Sequence, residues 1–260
     1  MRDVAEMFTD YRNTPGRVRV FDDFNADRIA LTTIDNGLWI GFAGTDANAT
    51  IGVIVASPEG TITMGSGNAT GSEDGSVLSR ILLTMGALVS IGTQVFECKI
   101  ALDQLTGVTL WVGLADKLCT DNEHPIHLVN SGTVADGGLT VSNVAGFAFS
   151  SDATATTKWQ LTSENAGTLG GKAGVAAAED ASTEGPTADI YDTLRIEINK
   201  SGDIAYFING GLVSTRAAAI ATNAVLIPYL SMDAAVDAQT DTVMTIDSIL
   251  HEFDRTTTNA

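Results

Sequence analysis

The densest cluster of chemistry-bearing side chains is Asp121-Asn122-Glu123-His124-Pro125-Ile126-His127, with Cys119 just upstream. One Cys and two His are zinc-ligand types, because thiolate sulfur and imidazole nitrogen both suit that ion. Pro125 between the two His prevents a regular helix, and the set names no fourth ligand. The stretch reads as a solvated loop, and no metal is expected. Retaining hydrolysis of glycosidic bonds needs two carboxylates about 5–5.5 Å apart. On one strand that demands closely alternating acids, as in a Glu-x-Asp-x-x-Glu run, and the chain has none. Arg195-Ile196-Glu197 comes nearest and reads as a cross-strand ion pair. Calcium requires several Asp and Asn oxygens on one loop. Neither Asp233 with Asp237 nor Glu73 with Asp74 belongs to an Asp-x-Asp-x-Asn-Gly pattern. Trp39, Trp111 and Trp159 sit inside strand patterns, where a core role is expected in preference to a sugar platform. No Ser/His/Asp order, Walker loop or dinucleotide fingerprint occurs; Gly65-Ser66-Gly67-Asn68 is a turn with no helix behind it. From the residues alone, no catalytic group, cofactor or metal is expected.

The elements around these residues are short and extended. Val95-Phe96-Glu97-Cys98-Lys99-Ile100-Ala101-Leu102 alternates with period two, as does Leu194-Arg195-Ile196-Glu197-Ile198, and each has one apolar face. That period favours half-buried antiparallel strands over helices. Asn209-Gly210-Gly211 is a strong hairpin signal, because Asn and Gly tolerate positive φ. Ser201-Gly202-Asp203 reads as a tight turn. Further strands are read at Leu38–Phe42, Ile51–Val55, Thr61–Met64, Leu78–Thr84, Thr109–Leu114, Phe147–Phe149, Lys158–Thr162, Leu226–Met232 and Val243–Leu250. An Ala-dense stretch, Thr215 to Asn223, is the one candidate helix, and nothing caps it. Gly167 to Pro186 is Ala/Gly-rich and reads as a surface loop. Many short strands without βα alternation indicate an antiparallel sandwich or jelly roll.

Composition narrows the partners. The 260 residues carry 14 Lys+Arg against 32 Asp+Glu, a formal net charge of −18. Phosphate binding needs clustered cations, so nucleic acid is not an expected partner, and an anionic membrane surface is not either. With 44% hydrophobic and only 18% charged residues, the chain is no disordered acidic tail. No apolar run is long enough for a transmembrane helix, and the start of the sequence lacks a signal-peptide pattern, so synthesis in a cytoplasm is expected. Cys98 and Cys119 make no disulfide framework and are expected buried and reduced. The Asn-x-Ser/Thr sequons at Asn48, Asn68 and Asn199 then read as chance in a Thr-rich chain. Arg2, Arg12, Arg17 and Arg19 place 4 of the 14 basic residues in the first twenty positions. Residues 1–19 therefore read as an extended arm, with a simple frayed terminus as the equal alternative, ahead of a sandwich domain at 20–260.

The strand-turn-strand series Leu194–Ile198, Ser201-Gly202-Asp203 and Tyr206-Phe207-Ile208-Asn209-Gly210 resembles concanavalin A-like (laminin-G-like) jelly rolls. Phe21-Asp22-Asp23-Phe24, Val95–Ile100, Trp111–Asp116 and Gly146–Phe149 before Lys158-Trp159 extend the likeness over roughly residues 20 to 253. Together they resemble virion proteins of tailed bacteriophages, among them capsid decoration (cement) proteins. That resemblance implies an all-β antiparallel sandwich and a non-enzymatic structural protein on the outer capsid surface of a virion. Its implied partner is the major capsid protein, and its implied state a homotrimer. Within that picture Arg2, Arg12, Arg17 and Arg19 are the expected partner contacts. The alternative is a head-fibre or tail-associated adhesin that binds glycans through a lectin-like sandwich.

Overall fold

Sequence alternation becomes alternation of burial in strand β8 (Gln94–Leu102), where Phe96, Cys98, Ile100 and Leu102 are buried and Glu97, Lys99 and Ala101 only half-buried. The architecture is that of a computed structural model, which describes residues 17–22, 29–31, 39–43, 51–54, 60–67, 76–80, 87–117, 125–128, 134–136, 141–151, 158–169, 184–234 and 241–254. Among the described residues there is no α-helix.

An eight-stranded sheet runs in the order β17 (Gly211–Arg216), β16 (Ile204–Ile208), β15 (Asp192–Ile198), β8, β19 (Val243–Asp254), β5 (Thr61–Gly65) and β4 (Ile51–Ile54). Its eighth member, β1 (Arg17–Asp22), pairs with the second half of β19. A nine-stranded sheet lies opposite, in the order β14 (Thr168–Leu169), β13 (Gln160–Asn165), β12 (Asn143–Ser150), β9 (Val108–Ala115), β18 (Val225–Ala234), β6 (Ser76–Arg80), β3 (Trp39–Ala43) and β2 (Ile29–Leu31). The short β7 (Ala87–Leu88) joins it on β18. A separate hairpin is formed by β10 (Ile126–Leu128) and β11 (Val134–Asp136). The described pairs are antiparallel except β2 with β3. This is the antiparallel jelly-roll sandwich expected from the strand pattern.

The core fills the space between the sheets. Phe96, Ile100, Ile196 and Ile246 come from one side and Leu110, Val112, Phe147 and Leu230 from the other, all essentially withdrawn from water. Each such side chain contributes about 1.5–3 kcal/mol of transfer free energy. Aromatic rings tie the layers together. Phe147 meets Tyr206 edge-on at 5.5 Å between centroids and Trp159 at 6.4 Å. The Tyr206 hydroxyl donates to the Thr162 carbonyl at 2.7 Å, and Trp159 Nε1 donates to Asp192 Oδ2 at 3.0 Å. Trp39 and Trp159 thus take the core role read from the sequence. Cys98 is buried as well, and burial pushes its thiol up, with Glu97 adding to the shift, so it stays protonated and unreactive. Cys119 lies outside the described residues.

Both predicted turns form. Asn209 and Gly210 have φ of 51° and 82°, the double positive φ of a type I′ hairpin. The candidate helix does not form. Residues to Arg216 continue β17, and Ala218 turns left-handed at φ 49°. High Ala content favours a helix only weakly, and here the backbone finds other partners. The Ala218 N–H donates to Asp203 Oδ1 at 2.8 Å, and the amides of Ala219 and Ile220 donate to the Gly202 carbonyl.

The hydrogen bonds of Asp203 are expected to make this turn depend on pH. The Ala218 N–H, and then Asn199 Nδ2 at 2.9 Å, hold its carboxyl below the usual carboxylate range. A lowered folded pKa stabilises the fold above the unfolded value and loses that contribution as pH falls through the folded one. The Ala218 amide is therefore expected to lose hydrogen-exchange protection on acidification below the ordinary Asp range, and Asp203→Asn to remove that dependence. An Ala218 amide whose protection is flat through this range in the parent protein contradicts the assignment.

Candidate functional site

Strands β9 and β12 are buried at every position, and β13 and β18 at nearly every one. A strand at the surface of a two-layer sandwich has one face on the core and one in solvent. These central strands of the nine-stranded sheet are withdrawn from water on both. The register shows what the outer face carries. Gln160, Ala148, Trp111 and Ser231 lie in one row across β13, β12, β9 and β18. Thr162, Gly146, Gly113 and Tyr229 form the next row. Ser150, Thr109 and Asp233 lie on one side of this pair of rows, and Glu164 on the other.

This face is polar and aromatic where the inner face is aliphatic. Trp111 Nε1 donates to Thr162 Oγ1 at 2.8 Å, and Thr162 in turn donates to the Gly146 carbonyl at 3.0 Å. The indole occupies the place a side chain at position 146 would need: a Cβ there would lie 2.3 Å from Trp111 Cζ2. Gly146 is thus a glycine for the sake of Trp111. Tyr229 meets the indole edge-on at 6.2 Å. Thr109 and Ser150 bond each other at 3.0 Å. Asp233 Oδ1 accepts the Ala234 N–H at 2.8 Å. Two atoms on the central row stand apart: Gln160 Oε1 and Ser231 Oγ are buried and have no hydrogen-bond partner. An unsatisfied buried polar group costs about 1–3 kcal/mol, and in a native protein it calls for an explanation, whether strain, a bound water or ion, or a functional role.

The two described acids of the outer face, Glu164 and Asp233, lie far apart. Glu164 is in register, through Val144 and Ala115, with Ile227 of β18, six residues before Asp233. At about 3.3 Å per residue that separates them by roughly 20 Å along the strand direction alone. They do not form a two-carboxylate pair of retaining type with each other. Among the described residues no three His, Cys, Asp or Glu side chains come together as a metal site.

The residues singled out in the sequence are scattered. Arg17 and Arg19 lie in β1, where both approach Glu252, Arg17 in close contact and Arg19 at 4.0 Å. Arg2 and Arg12 lie outside the described residues, as do Cys119, His124, Glu73, Asp74 and Asp237. Arg195 bridges Glu197 at 2.7 Å and Glu97 at 3.1 Å on the outer face of the other sheet, the cross-strand ion pairing read from its sequence. These groups are about a third exposed, so the pairs contribute little stability. Trp111 is buried as expected, but on the outer face, apart from the inter-sheet core. Gln160, Thr162, Glu164, Ser231 and Asp233 were legible only as period-two polar positions, a pattern that ordinarily marks a solvent face.

No family model matches the chain, and no curated protein matches it in sequence. Solved structures do match. The Bacillus licheniformis β-glucanase is 14% identical with a TM-score of 0.55, covering 91% of this chain and 98% of its own. A structure reported with the endo-acting O-glycanases of human gut microbiota is 9% identical at a TM-score of 0.57, over 91% and 98%. The carbohydrate recognition domain of Emp47p is 9% identical at a TM-score of 0.51, over 98% and 100%. The fold is the concanavalin A-like jelly roll of lectins and glucanases. The expectation of a non-enzymatic protein is corrected by these matches. The similar structures include glucanases as well as a carbohydrate recognition domain, so the fold gives no ground for excluding an enzyme. The lack of a Glu-x-Asp-x-x-Glu run fails as an argument against activity, because a sheet face draws its side chains from several strands.

Proposed function

We propose that this chain recognises a glycan, and that the outer face of the nine-stranded sheet, centred on Trp111 and Tyr229, is where it does so. The observation that carries the reading is a sheet face of aromatic and hydrogen-bonding side chains kept out of water. Ligand sites combine apolar and aromatic walls with a few placed polar groups in this way. The fold shared with a carbohydrate recognition domain and with glucanases supports it.

The virion setting comes from the residue resemblance to phage proteins. Within it a head-fibre or tail-associated adhesin is favoured over a decoration protein on the major capsid protein. Of the four arginines that decoration would use as contacts, Arg17 and Arg19 lie beside Glu252 of the same chain.

A glycan array, followed by titration of the best binder, tests the reading. Binding is expected to change the emission of Trp111, and Trp111→Phe to weaken affinity about tenfold, or 1.4 kcal/mol. Release of reducing ends in the same mixtures reports any cleavage. An array on which the folded protein retains no glycan sinks the proposal.

A further inference from the structure

We infer that the outer face of the eight-stranded sheet is an interface between two copies of this chain, docked about a two-fold axis running along the strands between β8 and β15. One row of the register carries the inference. Across β1, β19, β8, β15, β16 and β17 it reads Phe21, Leu250, Glu97, Arg195, Phe207 and Leu212. Paired residues of neighbouring strands point to the same side of a sheet. In β8 and β15 that side is opposite the buried Phe96 and Ile196, so the row faces away from the core. Its order is apolar, apolar, acid, base, apolar, apolar, which becomes its own complement when reversed. An axis between Glu97 and Arg195 reverses it. Phe21 of one copy then meets Leu212 of the other, Leu250 meets Phe207, and Glu97 meets Arg195. A two-fold interface requires this property, because one patch must fit itself.

The row has contacts to give. Its two ends are exposed, Phe21 by 48% and Leu212 by 59%, while Leu250 is buried and forms the floor of the patch. Tyr191, also exposed, lies on the same face with Lys99 Nζ 4.9 Å from its ring centroid. At the centre, Arg195 gives one N–H bond to Glu97 and two to Glu197. A guanidinium has five donors, and those left over suit the Glu97 carboxylate of the facing copy.

Charge and area both admit a second copy here. With a net charge of −18, copies of this chain repel over most of their surface. On this face the cations sit beside carboxylates: Arg17 and Arg19 by Glu252, Lys99 by Asp247, and Arg195 by its two glutamates. In the adjoining rows the axis sets Val95 against Glu197, Glu252 against Ala205, Arg19 against Thr215 and Lys99 against Thr193. No like charges are opposed. Five strand spacings by the length of β15 give a patch of about 24 Å by 23 Å. That is roughly 1,100 Å² for the two copies together, above the roughly 1,000 Å² that a specific interface needs. The sheet that carries Trp111 faces outwards in both copies, so the inference stands apart from the glycan reading.

Sedimentation of the intact protein over a dilution series tests it. A reversible dimer of twice the 27.1 kDa chain mass is expected. Leu212→Lys and Phe21→Glu are each expected to weaken the dimer at least tenfold and to leave the melting temperature of the dilute protein unchanged. Both substitutions in one chain are expected to recover most of the affinity, since the new acid of each copy faces the new base of the other. Within one chain the two positions lie about 24 Å apart, well beyond the screening length, so they cannot compensate there. A variant that melts without cooperativity is replaced by Leu212→Gln, with the same expected weakening. A parent chain that stays monomeric at its solubility limit, or that assembles as a trimer, overturns the inference. A dimer that neither single substitution weakens, or that the double substitution fails to recover, overturns it as well.

Discussion

Phe147→Ala is expected to destabilise the fold by about 3–5 kcal/mol, the range for emptying a buried phenyl site. The upper part of that range applies for a structural reason. The ring is fully buried between Tyr206 and Trp159, each edge-on to it. Those neighbours cannot slide in to fill the space, because Tyr206 is tethered to the Thr162 carbonyl and Trp159 to Asp192. A cavity whose walls are pinned keeps its volume, and the cost rises with the volume left. Denaturant unfolding with a shared m-value measures the change. A loss below about 1.5 kcal/mol, typical of a volume-conserving swap, would show that the rings repack.

Gly202→Ala is expected to cost about 3 kcal/mol, from two additive causes. Gly202 has a φ of 78°, where a side chain is strained. A Cβ there would also sit 2.0 Å from the Ile220 carbonyl oxygen, which belongs to backbone and has no rotamer by which to retreat. The Gly202 carbonyl in turn accepts the amides of Ala219 and Ile220, so the collision strikes the contact that docks this turn. Gly210 is the internal control. Its φ of 82° is as strained, yet a Cβ there meets nothing within 4 Å. Gly210→Ala is accordingly expected to cost only about 1–2 kcal/mol, the left-handed penalty alone. Equal losses at the two positions would mean that strain, and not the backbone collision, decides the effect.

Much of the fold was legible before any coordinates. The alternation at Val95–Leu102 and Leu194–Ile198 named two neighbouring strands and their buried faces. Asn209-Gly210 and Ser201-Gly202-Asp203 named the turns that join the strands of the last quarter. Such features are local, since a pleat repeats every two residues and positive φ selects Asn and Gly. The Ala-dense Thr215–Asn223 misled for the complementary reason. Its intrinsic preference was weak, and the bonds of Asp203 and Gly202 to residues 218–220 come from the neighbouring turn.

The site was far less legible. Gln160, Thr162 and Glu164 alternate with Leu161 and Ser163, and Ser231 and Asp233 flank Met232. On sequence alone such spacing marks the wet side of a strand. Only the register places Gln160 and Ser231 on either side of Trp111, since the three strands involved are separated by up to 120 residues in the chain. Only the burial of that face leaves Gln160 Oε1 and Ser231 Oγ without a hydrogen-bond partner. The sequence by itself determined the antiparallel sandwich, because strand period and turn chemistry are written in neighbouring residues. Tertiary structure decided which polar face leaves water and which distant side chains share it, because hydrogen-bond register and two-sided burial arise only when remote strands pack together.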